Sequence, residues 1–318
     1  PRHIEIDALD SPGARSLASY DACLYQIGNN PLHGAVYDWA LAVPGVVVLH
    51  DAVLHHLLLG KLSQQEYVEE FVFNYGEWLR DFAEQLWRER ATSASQESYF
   101  RYPLIRRICR RSRGLVVHNG RAGKMAREAL GAGNDVVEVD EIPLYVDPPS
   151  LPGAAQREQL REKLGIPAEE IVIATFGYLR PSKQLHSLLE ASRMLGVPYR
   201  ILLVGDFVSY DYEAAILAEI DQLPVTRLPY VAESEFRGLV AITDICVNLR
   251  YPSAGEASAI ALKLMAAGKP VIMTVGEEVA GFPPGSIVEV DPGEAEIEML
   301  AHYLYALAAD PDMRAAIG

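Results

Sequence analysis

Positive charge is scarce in this sequence: 28 Lys and Arg stand against 43 Asp and Glu, giving a formal net charge of −15 and a pI near 5.0. A field of that sign repels polyphosphate and excludes general affinity for nucleic acid. Cysteine is scarcer still. Cys23, Cys109 and Cys246 lie in or beside apolar segments without metal-ligand spacing, so they read as buried free thiols of a reducing compartment, which places the protein in the cytoplasm. No run approaches the roughly 20 apolar residues of a membrane span, and residues 1–10 lack a signal-peptide pattern. Met is absent from position 1, where Pro1 stands, which reads as a fragment or processed product. No Asp-x-Asp pair precedes a strand, so no metal is expected.

What is present is the material of two ordinary domains: 318 residues, 50% of them hydrophobic and 22% charged. Short apolar runs alternate with helical segments in two arrays, separated by the Pro- and Gly-rich stretch 147–153, read as a linker. Domains at 1–150 and 151–318 are therefore expected. In the second array, strands are expected near 171–176, 200–204, 225–228, 245–249, 270–274 and 287–290. Helices are expected near 182–195, 211–221, 233–242, 257–267 and 293–308. Runs such as Ile201-Leu202-Leu203-Val204 are apolar throughout rather than alternating, as a parallel sheet covered on both faces requires, so the fold class is doubly wound α/β. The first array offers strands near 22–27, 45–50, 114–118 and 136–139, a thin Rossmann-like domain. A long helix over 64–92 carries Tyr67, Phe71, Val72, Tyr75, Trp78, Leu79 and Phe82 as a core-facing stripe.

Residues 176–275 carry the chemistry. A strand runs into Gly177, then Arg180 and Lys183. Farther on, a strand ends before Pro252, Ser253 and Gly255, and a helix opens near Ala257. A helix start offers unpaired N–H groups and the positive end of its dipole, while Arg and Lys add mobile charge, so the two loops together suit two phosphates. The backbone N–H groups of Ala257, Ser258 and Ala259 would cap the diphosphate beside Gly177, Arg180 and Lys183. Glu256 would accept from sugar hydroxyls, or cap the helix.

His50 follows a strand at the carboxyl edge where open α/β sheets bind ligands. Asp51 would orient it or cap a helix from Ala52. His118 and Asn119 close another first-domain strand, and Gly28, Asn29, Asn30 and His33 form a polar turn after a third. These residues line an acceptor side or serve turn chemistry alone. His55 and His56 read as helix-surface residues. The segment 101–113 holds six arginines and no acid, with Leu104, Ile105, Ile108 and Cys109 on one face. It reads as a surface for peripheral contact with anionic lipid or an anionic acceptor, or as the solvated face of a packed helix.

With these residues in view, the chain resembles the family 4 retaining glycosyltransferases (glycosyl transferases group 1). The resemblance rests on Gly177 with Lys183, Val204-Gly205-Asp206, Thr243-Asp244, and the block from Gly255-Glu256-Ala257-Ser258 to Met265-Ala266-Ala267-Gly268, with weaker agreement around Gly28, His50-Asp51 and His118-Asn119. It implies a GT-B fold, two Rossmann-like domains facing a cleft. It also implies a metal-independent hexosyl transfer from a nucleotide-diphosphate sugar, UDP- or GDP-linked, to a glycan, lipid-linked or small-molecule acceptor. No cofactor beyond the donor is implied. In the family a histidine placed as His50 is faces the transferred sugar, and a loop placed as Tyr230-Val231 meets the nucleobase, with Gly205 and Asp206 near base or ribose.

Three departures stand out. The family's two glutamates, eight residues apart, fall here on Gly255 and Lys263, with Glu256 one residue late, and Lys263 only donates where ribose hydroxyls require an acceptor. The basic residue after the glycine is Tyr178, leaving Arg180 as its replacement. The opening βαβ unit and the terminal crossing helix are missing, so the chain reads as trimmed at both ends and inactive by itself. A non-catalytic nucleotide-sugar binder and a GT-B epimerase are the alternatives.

Overall fold

A computed structural model describes residues 17–131, 133 and 136–318. It divides into two compact units, one made of the residues up to Arg90 with Tyr102–Ile142, the other of Ala91–Arg101 with Pro143–Gly318.

The first unit is built on a four-stranded parallel sheet in the order β1 (Leu24–Ile27), β2 (Val46–Leu49), β3 (Gly114–Val117), β4 (Glu138–Glu141). Its helices are α1 (Gly34–Ala42), α2 (His55–Lys61), α3 (Gln64–Tyr75) and α4 (Arg80–Glu89). The short α5 (Ser98–Arg101) belongs to the segment grouped with the second unit, and α6 (Arg106–Arg111) and α7 (Gly120–Leu130) complete the first.

The single helix expected over 64–92 is broken. Gly76 adopts φ 100°, ends α3, and the chain restarts as α4. Tyr67 and Phe71 of the expected stripe are fully buried, and Phe71 packs against Tyr75, Phe82 and Tyr102. Trp78, beyond the break, is 81% exposed. His55, expected on a helix surface, is buried instead: its Nε2 lies 2.6 Å from the Tyr67 hydroxyl and its Nδ1 2.9 Å from the Tyr102 carbonyl. Burial without such partners would be costly.

The basic helix is also shorter than expected. Pro103 and the left-handed Leu104 (φ 58°) interrupt it, so only Arg106–Arg111 is helical. Leu104, Ile105, Ile108 and Cys109 are buried as one apolar face. Arg110 and Arg111 donate to the carbonyls of Leu130 and Leu41, at the carboxyl ends of α7 and α1, where cations meet the negative end of the helix dipole. Arg107 pairs with the buried Glu70 and lies over the Phe73 ring.

The second unit holds a six-stranded parallel sheet ordered β10 (Val288–Val290), β9 (Val271–Thr274), β8 (Ile245–Asn248), β5 (Ile171–Phe176), β6 (Tyr199–Val204), β7 (Val225–Leu228). Its helices are α8 (Ala154–Lys163), α9 (Leu185–Arg193), α10 (Tyr210–Glu219), α11 (Glu233–Ile242), α12 (Ala259–Ala266), α13 (Glu296–Ala309) and α14 (Pro311–Ile317). The all-apolar strand runs are explained by two cores, one on each face. Ile173, Ile201, Leu203, Ile245, Val247 and Ile272 enter one with α9 and α13. Their neighbours Val172, Ala174, Leu202, Val204, Cys246 and Val271 enter the other with α11 and α12. Among the described residues, no helix is long and apolar enough to cross a membrane.

Candidate functional site

The chemistry gathers at the carboxyl ends of β5, β6 and β8, where strand-to-helix loops leave the sheet. Past the strand ends, the loops after β5 and β6 continue side by side. The N–H of Gly177 donates to Val204 O (2.9 Å), that of Leu179 to Asp206 O (2.9 Å), and that of Val208 to Leu179 O (3.0 Å). Asp206 Oδ1 accepts the Tyr230 N–H (3.2 Å), which ties in the loop after β7. The loop after β8 is joined as well: Tyr251 N–H donates to Ser182 O (2.8 Å) and Gln184 Nε2 to Tyr251 O (2.7 Å).

These ties hold a dense charge cluster. Lys183 is buried, and its Nζ donates to Phe176 O at 2.6 Å. Burial, with Arg250 and Arg180 nearby, pulls its pKa down to about 7. Glu256 is also buried, and its carboxylate is surrounded. Oε1 accepts from Arg180 Nη2 (3.2 Å) and from Arg250 Nη1, and Oε2 accepts from the Ala254 N–H (2.8 Å). Burial alone would push this carboxyl up, but Arg250 and Arg180 outweigh it and bring the pKa to about 2. The helix start lies at Ala259 rather than near Ala257, because Ser258 is the N-cap and its Oγ accepts the Ala261 N–H (3.2 Å). That hydroxyl also meets Asn248 Nδ2 (3.0 Å) and Arg250 Nη2 (3.3 Å).

Nothing in the sequence singles out Arg250, which lies two residues past the end of β8. Its Nε is buried without a hydrogen-bond partner, as is Asn248 Oδ1. Two arginines therefore hold one carboxylate, with Lys183 near enough to feel its charge, at a place where polar capacity remains.

A pocket of about 440 Å³ adjoins the cluster through Phe176 and Gly177, which belong to both. Val204, Gly205 and Asp206, then Tyr230 and Val231, and on α11 and α12 Glu233, Phe236, Ile260 and Lys263, complete its lining with Tyr178. All five residues expected to hold a nucleoside are thus in one cavity. Tyr178 and Tyr230 are 65% and 79% exposed, an aromatic rim open to a flat ligand. Glu233 went unremarked in the sequence because an acid in the first turn of a helix is ordinary.

In the first unit, the polar residues expected on the acceptor side cluster at the carboxyl end of its sheet, and several are engaged in holding backbone. Asn29 Oδ1 accepts the N–H groups of His56 and Leu57 at the start of α2, Asn30 Oδ1 that of Leu32, and Asn119 Oδ1 that of Ala122 at the start of α7. The Asp51 carboxylate accepts the Asn29 N–H (2.7 Å). Because α2 opens at His55, Asp51 does not cap a helix from Ala52. His33 Nδ1 sits 3.0 Å from Gln26 O and 3.2 Å from the Gly28 nitrogen. The imidazoles of His50 and His118 meet, Nδ1 to Nε2, at 3.1 Å. His118 Nδ1 faces Ile142 O (2.9 Å) and His50 Nε2 faces Gln26 (2.6 Å). Burial, with His118 and His33 alongside, lowers the His50 pKa.

Two Rossmann-like units with parallel sheets of four and six strands define the GT-B fold. Neither a family model nor a curated protein matches the sequence, and the fold is established by solved structures. The chain is similar to HepE from Anabaena in complex with UDP-glucose, at TM-score 0.62 and 19% identity, over 91% of this chain and 77% of that one. It is similar to sucrose-phosphate synthase from Thermosynechococcus elongatus at TM-score 0.63 and 15% identity, over 94% and 68%. It is also similar to WaaG, a glycosyltransferase involved in lipopolysaccharide biosynthesis, at TM-score 0.56 and 14% identity, over 92% and 91%.

Proposed function

We propose that the protein is a glycosyltransferase that takes a hexose from a nucleoside-diphosphate sugar, with the donor held in the second unit. The observation that carries this reading is the placing of Arg180, Lys183 and Arg250 around the buried Glu256, beside an aromatic-rimmed pocket of nucleoside size. The side-chain charge of the cluster is positive even with Glu256 ionised. It is therefore prepared for the negative charge that grows on a departing diphosphate, without a metal ion. Electrostatic preorganisation is the main contribution a retaining transfer through an oxocarbenium-like transition state requires of the protein, and retention of configuration is part of the proposal.

Within this reading Glu256 is a positioning residue. Its acceptor positions face Arg180, Arg250 and the Ala254 N–H, so it orders the cations rather than the sugar. The pair His50 and His118 in the first unit is assigned to the transferred sugar and the acceptor. Epimerase chemistry is less well supported, because a carboxyl group held near pKa 2 by two arginines is a poor base.

The test is thermal melting of the protein with UDP, GDP, ADP and dTDP, followed by assay of the corresponding donor sugars for transfer or hydrolysis. We expect one nucleotide to raise the melting temperature and Lys183→Ala to abolish the shift, since a ligand that binds only the folded state stabilises it by mass action. UDP leads the panel because the HepE neighbour holds UDP-glucose. Absence of any shift overturns the reading, and saturable binding without turnover assigns the protein to the non-catalytic binders. Where transfer occurs, the anomeric configuration of the product tests retention.

A further inference from the structure

Lys263 stands in the nucleoside pocket where its ammonium only donates, yet the pocket does not lack an acceptor. Glu233, the first residue of α11, lines the same cavity, and its Oε2 lies 3.3 Å from Lys263 Nζ. Its other oxygen is 3.6 Å from Arg237 Nε on the next turn of its own helix. A carboxylate offers about four lone-pair positions; Lys263 engages one by a hydrogen bond, and Arg237 stands near another at ion-pair distance. The carboxylate is therefore steered from two sides while half of its accepting capacity faces the cavity or solvent.

Position along α12 says what would meet it. The N-cap Ser258 lies in the cationic cluster, and Lys263 is five residues farther on, roughly 7.5 Å along the helix axis. If a diphosphate occupies the cluster, the group attached to it reaches the level of Lys263 about one sugar ring later. The other carboxylate of the pocket, Asp206, spends Oδ1 on the Tyr230 N–H and sits beside Gly177 and Gly205 at the loop end. The aromatic and aliphatic remainder, Phe236, Ile260, Val231 and Tyr230, offers faces rather than acceptors at that level.

We propose that Glu233, steered by Lys263 and Arg237, accepts hydrogen bonds from the vicinal 2′- and 3′-hydroxyls of the ligand, so that the site selects ribonucleoside over 2′-deoxyribonucleoside diphosphates. The proposal rests on the reading of the pocket as a nucleoside site and narrows the donor to a ribonucleotide sugar. Lys263 is then a positioning residue, its charge fixing the carboxylate that does the reading.

The experiment is calorimetric titration of the protein and of Glu233→Gln with UDP, 2′-deoxy-UDP, GDP and 2′-deoxy-GDP. The wild type is expected to bind one ribonucleotide at least about tenfold more tightly than its deoxy partner, the effect of a charge-assisted hydrogen bond. Glu233→Gln is expected to reduce that ratio to within about threefold, the ribonucleotide losing more affinity than its deoxy partner, which has only the 3′-hydroxyl contact to lose. Glu233 is largely exposed, so the variant should fold, and its unliganded melting temperature serves as the control. A wild type that binds both sugars equally, or a variant that keeps the full preference, overturns the assignment and leaves the Glu233–Lys263 pair as a staple between α11 and α12. Failure of all four nucleotides to bind, with ADP and dTDP also without effect in the melting panel, strikes the donor-site reading itself, and the inference with it.

Discussion

Gly205 and Gly177 touch backbone to backbone: a Cβ built on Gly205 would lie 2.8 Å from the carbonyl carbon of Gly177 and overlap its oxygen. Gly205 also has φ 136°, a conformation that side chains rarely adopt. The closeness lets the loops after β5 and β6 run on as a pair, which brings the wall of the pocket against the cationic cluster.

Gly205→Ala should therefore destabilise the second unit by about 3 kcal/mol, from backbone strain and overpacking together. Denaturant unfolding measures the loss. A variant within about 0.5 kcal/mol of wild type would show that the two loops separate easily and that their pairing does not shape the pocket.

Glu256→Gln removes the anion that holds two arginines. Because one partner of a buried network is lost while the other charges remain, we expect a loss of about 3 kcal/mol at pH 7. The pH dependence gives the same result a second signature. The folded pKa of about 2 lies below the ordinary 4.5, so the stabilisation is complete above pH 4.5 and is lost as the pH falls toward 2. Urea melts from pH 6 to 2.5 should show a descending limb in the wild type that is shallower in the variant.

The sheet strands were legible because their chemistry is uniform. A strand buried on both faces must be apolar at every position, and Ile171–Phe176 and Tyr199–Val204 announce themselves by that rule. The breaks at Gly76 and Leu104 were not legible. An isolated glycine or leucine does not declare a positive φ in sequence, so tertiary packing decides whether a helix stops there. At the site, Lys183, Arg180 and Glu256 followed from loop and helix-start signals. Arg250 and Glu233 did not, since their meaning comes from partners six and thirty residues away, Glu256 and Lys263. The Gly-Asn-Asn turn shows another side of this: the side-chain oxygen of Asn30 caps its own turn, and that of Asn29 accepts from the start of α2, 27 residues away, a partner the sequence does not announce.

In the first unit, burial, with the rings of His118 and His33 alongside, lowers the tendency of His50 to accept a proton, and His118 is the one of the two rings in direct contact through its Nε2. His118→Gln should raise the His50 pKa toward the ordinary histidine value, leaving burial and His33 as the remaining depressing influences. Imidazole resonances followed by NMR across pH 5–8 would show it. An unchanged His50 titration would mean that burial and His33 set its charge without His118.

Lys183 ties stability, binding and pH together. Its folded pKa of about 7 lies below the unfolded 10.5, so between those values the unfolded chain binds the extra proton and this group's destabilising effect shrinks as the pH rises. Below pH 7 the burial penalty is present in full. Lys183→Met, which keeps length and removes charge, should therefore melt at a higher temperature than the unliganded wild type at pH 6.5, with the advantage fading toward pH 10. The same residue should make nucleotide binding take up a proton. Arg180 and Arg250 oppose the ammonium while Glu256 and Cys246 favour it, and a diphosphate placed beside it adds negative charge to the favouring side. Affinity for the nucleotide that binds should accordingly fall by up to about tenfold per pH unit above pH 7. Calorimetry in buffers of different ionisation enthalpy would register the proton uptake at pH 8. In Lys183→Met both the uptake and the pH slope should disappear along with most of the affinity. If the wild-type affinity is flat from pH 6.5 to 9, the ammonium does not face the phosphates, and Arg180 and Arg250 must hold them alone.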